Sequence, residues 1–86
     1  MAPPPLTSAQ IRAARALIRW SAADLARHSA VGVTTIRRAE LMPSVTALTR
    51  ANDQAIRRTL ELAGVEFIDS ETAGPGVRLR TPPAET

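Results

Sequence analysis

Three residues in the first third of the chain, Ser21, Asp24 and His28, are of the types used in nucleophilic catalysis. Their spacing places them on consecutive turns of one helix, where they cannot form a triad with an oxyanion hole. We expect Asp24 and His28, four residues apart, to pair weakly instead. His28 is the only histidine and the chain has no cysteine, so a metal site lacks convergent ligands. The sequence predicts neither an enzyme nor a cofactor.

A second group of polar residues is spaced for the outer face of a helix. It consists of Thr34, Thr35, Arg37 and Arg38, and no carboxylate comes before Glu40 in this stretch. A helix that buries apolar residues on one side and presents arginine and threonine on the other suits the major groove of DNA. The group therefore predicts binding to double-stranded DNA.

The charge of the chain is unevenly distributed, and all eleven basic residues are arginine. Residues 8–58 carry nine arginines against three acidic residues, a balance of +6, whereas residues 59–86 have a balance of −3. The basic part contains the arginine and threonine group, as a polyanion-binding surface requires. The alternative is that arginine-rich helices merely keep the chain in solution, or that the genome favours arginine codons.

The length of 86 residues allows one small domain. A chain of this size buries only about 60 % of its unfolded surface, so a partner that completes the core is expected. No stretch approaches the roughly 20 apolar residues of a membrane span. The opening MAPPP lacks the regions of a signal peptide, and we therefore expect a cytoplasmic protein without a membrane partner.

The elements that position these residues are predicted to be five helices. Thr7 with Gln10 and Ser21 with Asp24 have the spacing of capping boxes, which start the first two helices. The predicted helices span about 8–19, 22–29 and 33–40, a short stretch after the cap residue Ser44, and a last stretch from the cap residue Asn52 to about 63. Arg57 and Arg58 are expected on the outside of the last helix, which Gly64 ends.

The remaining segments have other patterns. Residues 65–67 and 77–80 alternate apolar and charged side chains around a turn-rich centre, which predicts a two-stranded antiparallel β-hairpin at 65–80. A flexible arm is expected at 1–6, a helical domain at 7–64 and a disordered tail at 81–86. The predicted fold class is mainly α with a small C-terminal hairpin.

The central stretch LARHSAVGVTTIRRAE, residues 25–40, resembles the helix-turn-helix of the phage-repressor (XRE) family of transcriptional regulators. The positions that match in register are Leu25-Ala26, Ala30-Val31, Ile36 and Ala39-Glu40. The segment AIRRTLELAGVEF…GPGVRLR, from Ala55, is similar to the C-terminal part of small bacterial regulators of this type. The resemblance covers about residues 8–80 and implies a lambda-repressor-like five-helix domain.

The sequence departs from the family pattern at three positions. Ala30 stands where the family has glycine, Gly32 where it has a serine or threonine cap, and Ala22 where it often has a phosphate-contacting glutamine. The family geometry implies a left-handed backbone near Ala30, which strains an alanine by roughly 1–2 kcal/mol.

Transfer from the repressor motif implies roles for individual residues. Val33, Thr34 and Arg38 correspond to contacts with base edges, and Arg37 to a contact with a base or a phosphate. Ser21, with the amides that begin the second helix, is expected to hold a phosphate. Thr35 and Arg50 are assigned to further phosphate contacts.

Two function classes follow from the sequence. The first is a sequence-specific DNA-binding transcriptional regulator, a repressor that acts as a homodimer. The residues assigned to the dimer interface are Val65, Phe67, Val77 and Leu79. The alternative is that these four only close the core of the monomer. The second class is a protein-interaction module, such as an antiactivator or antitoxin-like partner that keeps the helix-turn-helix fold.

Overall fold

Helices make up most of the computed structural model, which describes residues 3–70 and 72–80. Within that part, four α-helices precede an antiparallel hairpin, so the chain is mainly helical as predicted. The helices are α1 (Ser8–Ile18), α2 (Ala22–Ser29), α3 (Val33–Leu41) and α4 (Arg50–Leu62), and the strands are β1 (Val65–Ser70) and β2 (Gly74–Leu79). The tail expected at 81–86 lies outside the described residues. No helix in the described part is both long enough and apolar enough to cross a membrane.

Reciprocal side-chain caps begin the first two helices and confirm the predicted capping boxes. The Thr7 hydroxyl accepts from the backbone amide of Gln10 at 3.1 Å, and the backbone amide of Thr7 donates to the side-chain oxygen of Gln10 at 2.9 Å. Ser21 and Asp24 repeat the arrangement at 3.0 and 2.9 Å. Each pair satisfies two amides that a helix start would leave without partners. The starts of α1 and α2 are thus determined locally.

A sharp corner joins α2 to α3. Ala30 ends α2 with φ 63° and ψ 20°, which confirms the left-handed backbone expected there. Gly32 precedes the first residue of α3 in an extended conformation, with no side-chain hydrogen bond at the cap. Val31 and Ile36 are buried in the core on either side of the corner. The corner therefore holds α3 across α2 through apolar contacts rather than through a polar cap.

The fourth predicted helix is wrong, because residues 42–49 have no helical structure. Thr7 instead forms a β-bridge with Val45, and the Ser8 amide donates to the Ser44 carbonyl at 3.0 Å. Main-chain groups that bond to a distant segment cannot also form the hydrogen bonds between successive turns of a helix. The last helix begins at Arg50, earlier than expected, after the cap residue Thr49. The described fold therefore has four helices instead of five.

The hydrophobic core lies between the helices and the inner face of the hairpin. Its buried members are Leu6, Ile11, Ala14, Leu25, Val31, Ile36, Ile56, Leu60 and Val65. Leu6 is almost fully buried, and its amide donates to Asp53 at 2.9 Å. The expectation of a flexible arm through residue 6 is therefore wrong at Leu6, which is held by both packing and a buried hydrogen bond.

The hairpin has the predicted antiparallel form and packs on α1 and α4. Phe67 lies opposite Val77, and Val65 opposite Leu79. The buried Gln10 side chain donates to the carbonyls of Ile68 and Gly76 at 3.4 and 3.1 Å. A two-stranded sheet is marginal alone, so these polar and apolar contacts with the helices are needed to hold it.

Arg57 is buried, contrary to the expectation that it faces outward. Only 8 % of the residue is exposed, and its guanidinium donates to the Pro4 carbonyl at 2.9 Å. The same group lies 3.5 Å from the Asp69 carboxylate and 5.1 Å from the centre of the Phe67 ring. Periodicity placed Arg57 outside because the segments that cover it, the N-terminal residues and the hairpin, are distant in sequence.

Candidate nucleic-acid interface

Helix α3 has one buried face and one exposed face. Ile36 and Ala39 point into the core, whereas Thr34, Arg37 and Arg38 are exposed. The two remaining assigned residues of α3, Val33 and Thr35, are half-buried at its beginning. The structure thus brings all five assigned residues of α3 onto one helix with its outer side free of core packing.

Glu40, the acidic residue of α3, is turned away from that outer face. It is 8 % exposed and accepts from the Arg15 guanidinium at 2.6 and 2.7 Å in a bidentate pair. This side-chain hydrogen bonding raises the pKa of Arg15. Arg12 also donates to the Glu40 carbonyl. Two arginines of α1 therefore hold the end of α3, and its outer face keeps positive charge without an adjacent carboxylate.

A cleft of about 310 Å³ lies between α3 and the segment that leads into α4. Its polar lining consists of Thr35, Arg38, Thr46, Thr49 and Asn52. Hydroxyl, amide and guanidinium groups are the donors that proteins use for DNA phosphates. Among the described residues, no carboxylate lines this cleft. Sequence reasoning missed Thr46 and Thr49, because the residues between α3 and α4 were assigned to a helix of their own. It considered Asn52 only as the cap of the last helix.

The beginning of α2 is less open than expected for a phosphate site. Ser21 is exposed, but its amide donates to the Asp24 carboxylate and its hydroxyl accepts from the Asp24 amide. The hydrogen bond from the Ser21 backbone and a 2.8 Å pair with Arg27 hold the pKa of Asp24 below its usual range. A charged carboxylate therefore lies where the phosphate was expected, and it opposes a second anion.

The exposed arginines near α3 are not neutralised. Ion pairs in the described residues involve Arg15, Arg27, Arg57 and Arg78. Arg37 and Arg38 on α3 and Arg50 at the start of α4 form none within residues 3–70 and 72–80. Unpaired exposed guanidiniums produce a positive field that attracts polyanions.

The residues assigned to a dimer interface have different environments. Val65 is buried in the core, and Phe67 and Val77 are half-buried against it. Leu79 is 51 % exposed. Three of the four therefore help close the core of the chain itself, and Leu79 is the one with most apolar surface free for another molecule.

The residues first considered for catalysis have structural partners. Asp24 pairs with Arg27 and not with His28, so the expected pairing is wrong. His28 stacks on Trp20, with ring centres 4.5 Å apart. Within the described residues, no group of three or more acidic, histidine or cysteine side chains could hold a metal ion.

No model of a known protein family matches this chain. No curated protein is significantly similar to it in sequence.

Proposed function

We propose that this protein is a sequence-specific DNA-binding transcriptional regulator, a repressor that acts as a homodimer. Helix α3 lies in the major groove, where Val33, Thr34, Arg37 and Arg38 contact base edges. Arginine can grip guanine through two hydrogen bonds, and a valine or threonine methyl can contact the thymine methyl. The domain is a lambda-repressor-like fold in which an extended connection replaces one helix.

The observation that carries this proposal is the separation of charge across α3. Glu40 is buried in a bidentate pair with Arg15, while Arg37 and Arg38 are exposed without an acidic partner in the described residues. The pair holds α3 against α1 with its cationic side outward, as a recognition helix requires.

Phosphate contacts flank the recognition helix in this proposal. Thr35 and Arg50 keep their assigned roles, and the cleft beside α3 adds Thr49 and Asn52. Ser21 keeps a hydroxyl proton that can be donated to a phosphate, although Asp24 weakens that site. These contacts set the position of α3 on the duplex and supply affinity that falls with salt.

A protein-interaction module is the second candidate, and one observation favours it. Leu41 at the end of α3 is 84 % exposed and Val45 is 69 % exposed. Exposed apolar side chains next to a basic helix suit an antiactivator or antitoxin-like function in which the partner is a protein. If the protein is such a module, it should show no preference for any DNA sequence.

Selection from a random duplex library tests the two candidates. We expect enrichment of one pseudo-palindromic site, and binding to it about 10³-fold tighter than to random duplex at physiological salt. The logarithm of the binding constant should fall linearly with the logarithm of salt concentration, by about 0.9 for each phosphate contact. Absence of enrichment together with binding too weak to detect at low salt would leave the protein-interaction module as the function.

A further inference from the structure

The outer edge of β2 carries main-chain groups without partners in the hairpin. The Arg80 amide donates to the Gly64 carbonyl at 2.8 Å, which makes this opposed pair a hydrogen-bonded one. Hydrogen-bonded and non-hydrogen-bonded pairs alternate along an antiparallel ladder. The amides and carbonyls of Val77 and Leu79 must therefore point away from β1. Pro75 is at an outward position too, which fits a residue that has no amide to donate.

The edge of β1 is less available than that of β2. Arg57 of α4 contacts both the Asp69 carboxylate of β1 and the Pro4 carbonyl. Arg57 therefore ties the Asp69 end of β1 to the N-terminal segment. Among residues 3–70 and 72–80, no strand other than β1 pairs with β2.

Side chains select how two copies of β2 can pair. A two-fold axis at Val77 places Arg78 opposite Gly76 of the second copy. Each long cationic side chain then lies opposite a glycine, which has no side chain. A two-fold axis at Arg78 places the two arginines directly opposite each other, about 4.5 Å apart at Cα, which is unfavourable. The strand GPGVRL is thus self-complementary about Val77.

Pairing about this axis would form a regular ladder and bury apolar surface. The Val77 amides and carbonyls would bond across the axis, and each Leu79 amide would donate to the Pro75 carbonyl of the second copy. Leu79 is 51 % exposed on the inner side of the sheet. Leu17 is two turns after Gln10 on α1, the helix that packs under β2, and is 37 % exposed. Pairing would cover Leu79 and extend the apolar layer toward Leu17.

We infer that β2 is the docking surface for a second copy of this chain, and that the two hairpins form a four-stranded antiparallel sheet with the two-fold axis at Val77. This inference deepens the homodimer of the proposed function, but it is tested without DNA. An open strand edge presents main-chain amides and carbonyls to which a second strand can bond.

Engineered disulfides identify the axis, and the chain has no cysteine that would interfere. A mixture of Gly76→Cys and Arg78→Cys proteins should form a cross-linked heterodimer on mild oxidation, because opposed Cα atoms lie within the range of a disulfide. A Cβ at Gly76 meets no atom nearer than 3.9 Å, so the substitution fits. Each variant alone should remain uncrosslinked. Cross-linking of Arg78→Cys alone would place the axis at Arg78 and overturn the inferred register.

Sedimentation equilibrium provides the second measurement. The parent protein should be dimeric at high micromolar concentration and Leu79→Glu monomeric. Leu62→Glu is the matched control, because Leu62 is 81 % exposed and lines a surface depression with Trp20 and His28 to which no described residue of β2 belongs. A monomeric parent protein that still binds one selected DNA site would overturn this inference and the homodimer, and would leave the sequence-specific DNA binding of the proposed function intact. A cross-linked dimer that selects no DNA sequence would support this inference and overturn the proposed function.

Discussion

Arg15 of α1 and Glu40 of α3 form a bidentate ion pair with N–O distances of 2.6 and 2.7 Å. The carboxylate side chain is 9 % exposed and the arginine side chain 21 %. Because α3 carries the exposed arginines, this pair fixes the orientation of the helix that we propose enters DNA. It also couples the stability of the domain to the geometry of its binding surface.

Loss of the Glu40 carboxylate should be strongly destabilising. We expect Glu40→Ala to lower the free energy of unfolding by about 3 kcal/mol, since it leaves a largely buried guanidinium without its partner. Urea denaturation measures the change. Glu66→Ala is the control, because the Glu66 pair with Arg78 is exposed and its loss should barely change the melting temperature. Equal effects of the two substitutions would show that the Arg15 pair does not anchor α3.

Relief of backbone strain at the α2–α3 corner should stabilise the protein. Ala30 has φ 63°, which glycine adopts without steric cost. We expect Ala30→Gly to raise the free energy of unfolding by about 0.5–1 kcal/mol, because the relieved strain exceeds the chain entropy added by glycine. Thermal denaturation followed by circular dichroism provides the measurement.

The control for this prediction is a glycine in an ordinary helix. Ala13→Gly, at an exposed position within α1, should lower the free energy of unfolding by about 1 kcal/mol. A lower melting temperature for Ala30→Gly as well would mean that contacts of the Ala30 methyl group outweigh its backbone strain.

Asp24 should contribute to stability in a pH-dependent way. The pKa of its carboxyl is lowered in the folded state, chiefly by the hydrogen bond from the Ser21 backbone and then by Arg27. The stabilisation is therefore complete above the usual carboxyl range and is lost as the pH falls through the lowered pKa. We expect Asp24→Asn to melt below the parent protein at neutral pH, and the difference to vanish in strong acid. A difference that is constant with pH would contradict this account.

Arg38 should contribute to the choice of DNA sequence. We expect Arg38→Ala to weaken binding to the selected site by about 1–3 kcal/mol and to relax the preference at one base pair. Fluorescence anisotropy with the selected site and a scrambled duplex measures both effects. Uniform weakening on the two duplexes would instead assign Arg38 to a phosphate, as its place in the cleft beside Thr35 allows.

Arg58 is a suitable control for the Arg38 substitution, whereas Arg57 is not. Arg58 is exposed on α4, so Arg58→Ala changes the charge of the chain without disturbing packing. It should leave sequence preference unchanged. Arg57 is buried against Phe67 and the Pro4 carbonyl, and its replacement would alter the fold.

Local sequence was sufficient where a few neighbouring residues determine the structure. The capping boxes at Thr7 and Ser21 were predicted because a hydroxyl and a partner three residues later satisfy the same helix end. The left-handed backbone at Ala30 followed from the family resemblance. The hairpin followed from alternation and turn residues. The exposed side of α3 was predicted from helical periodicity, since apolar residues on one face require the others to face solvent.

Tertiary structure decided what depends on segments far apart in the chain. The predicted fourth helix does not form, because Val45 pairs with Thr7 and the Ser44 carbonyl accepts from the Ser8 amide. Arg57 is buried because the N-terminal segment and the hairpin close over it. The periodicity of residues within α4 cannot predict contacts with either segment. The Arg15–Glu40 pair and the polar cleft beside α3 arise in the same way. By itself the sequence determined which helix presents arginine and threonine. Only the packing of distant segments decided how that helix is anchored and which residues surround it, because burial and ion pairing depend on distance in space.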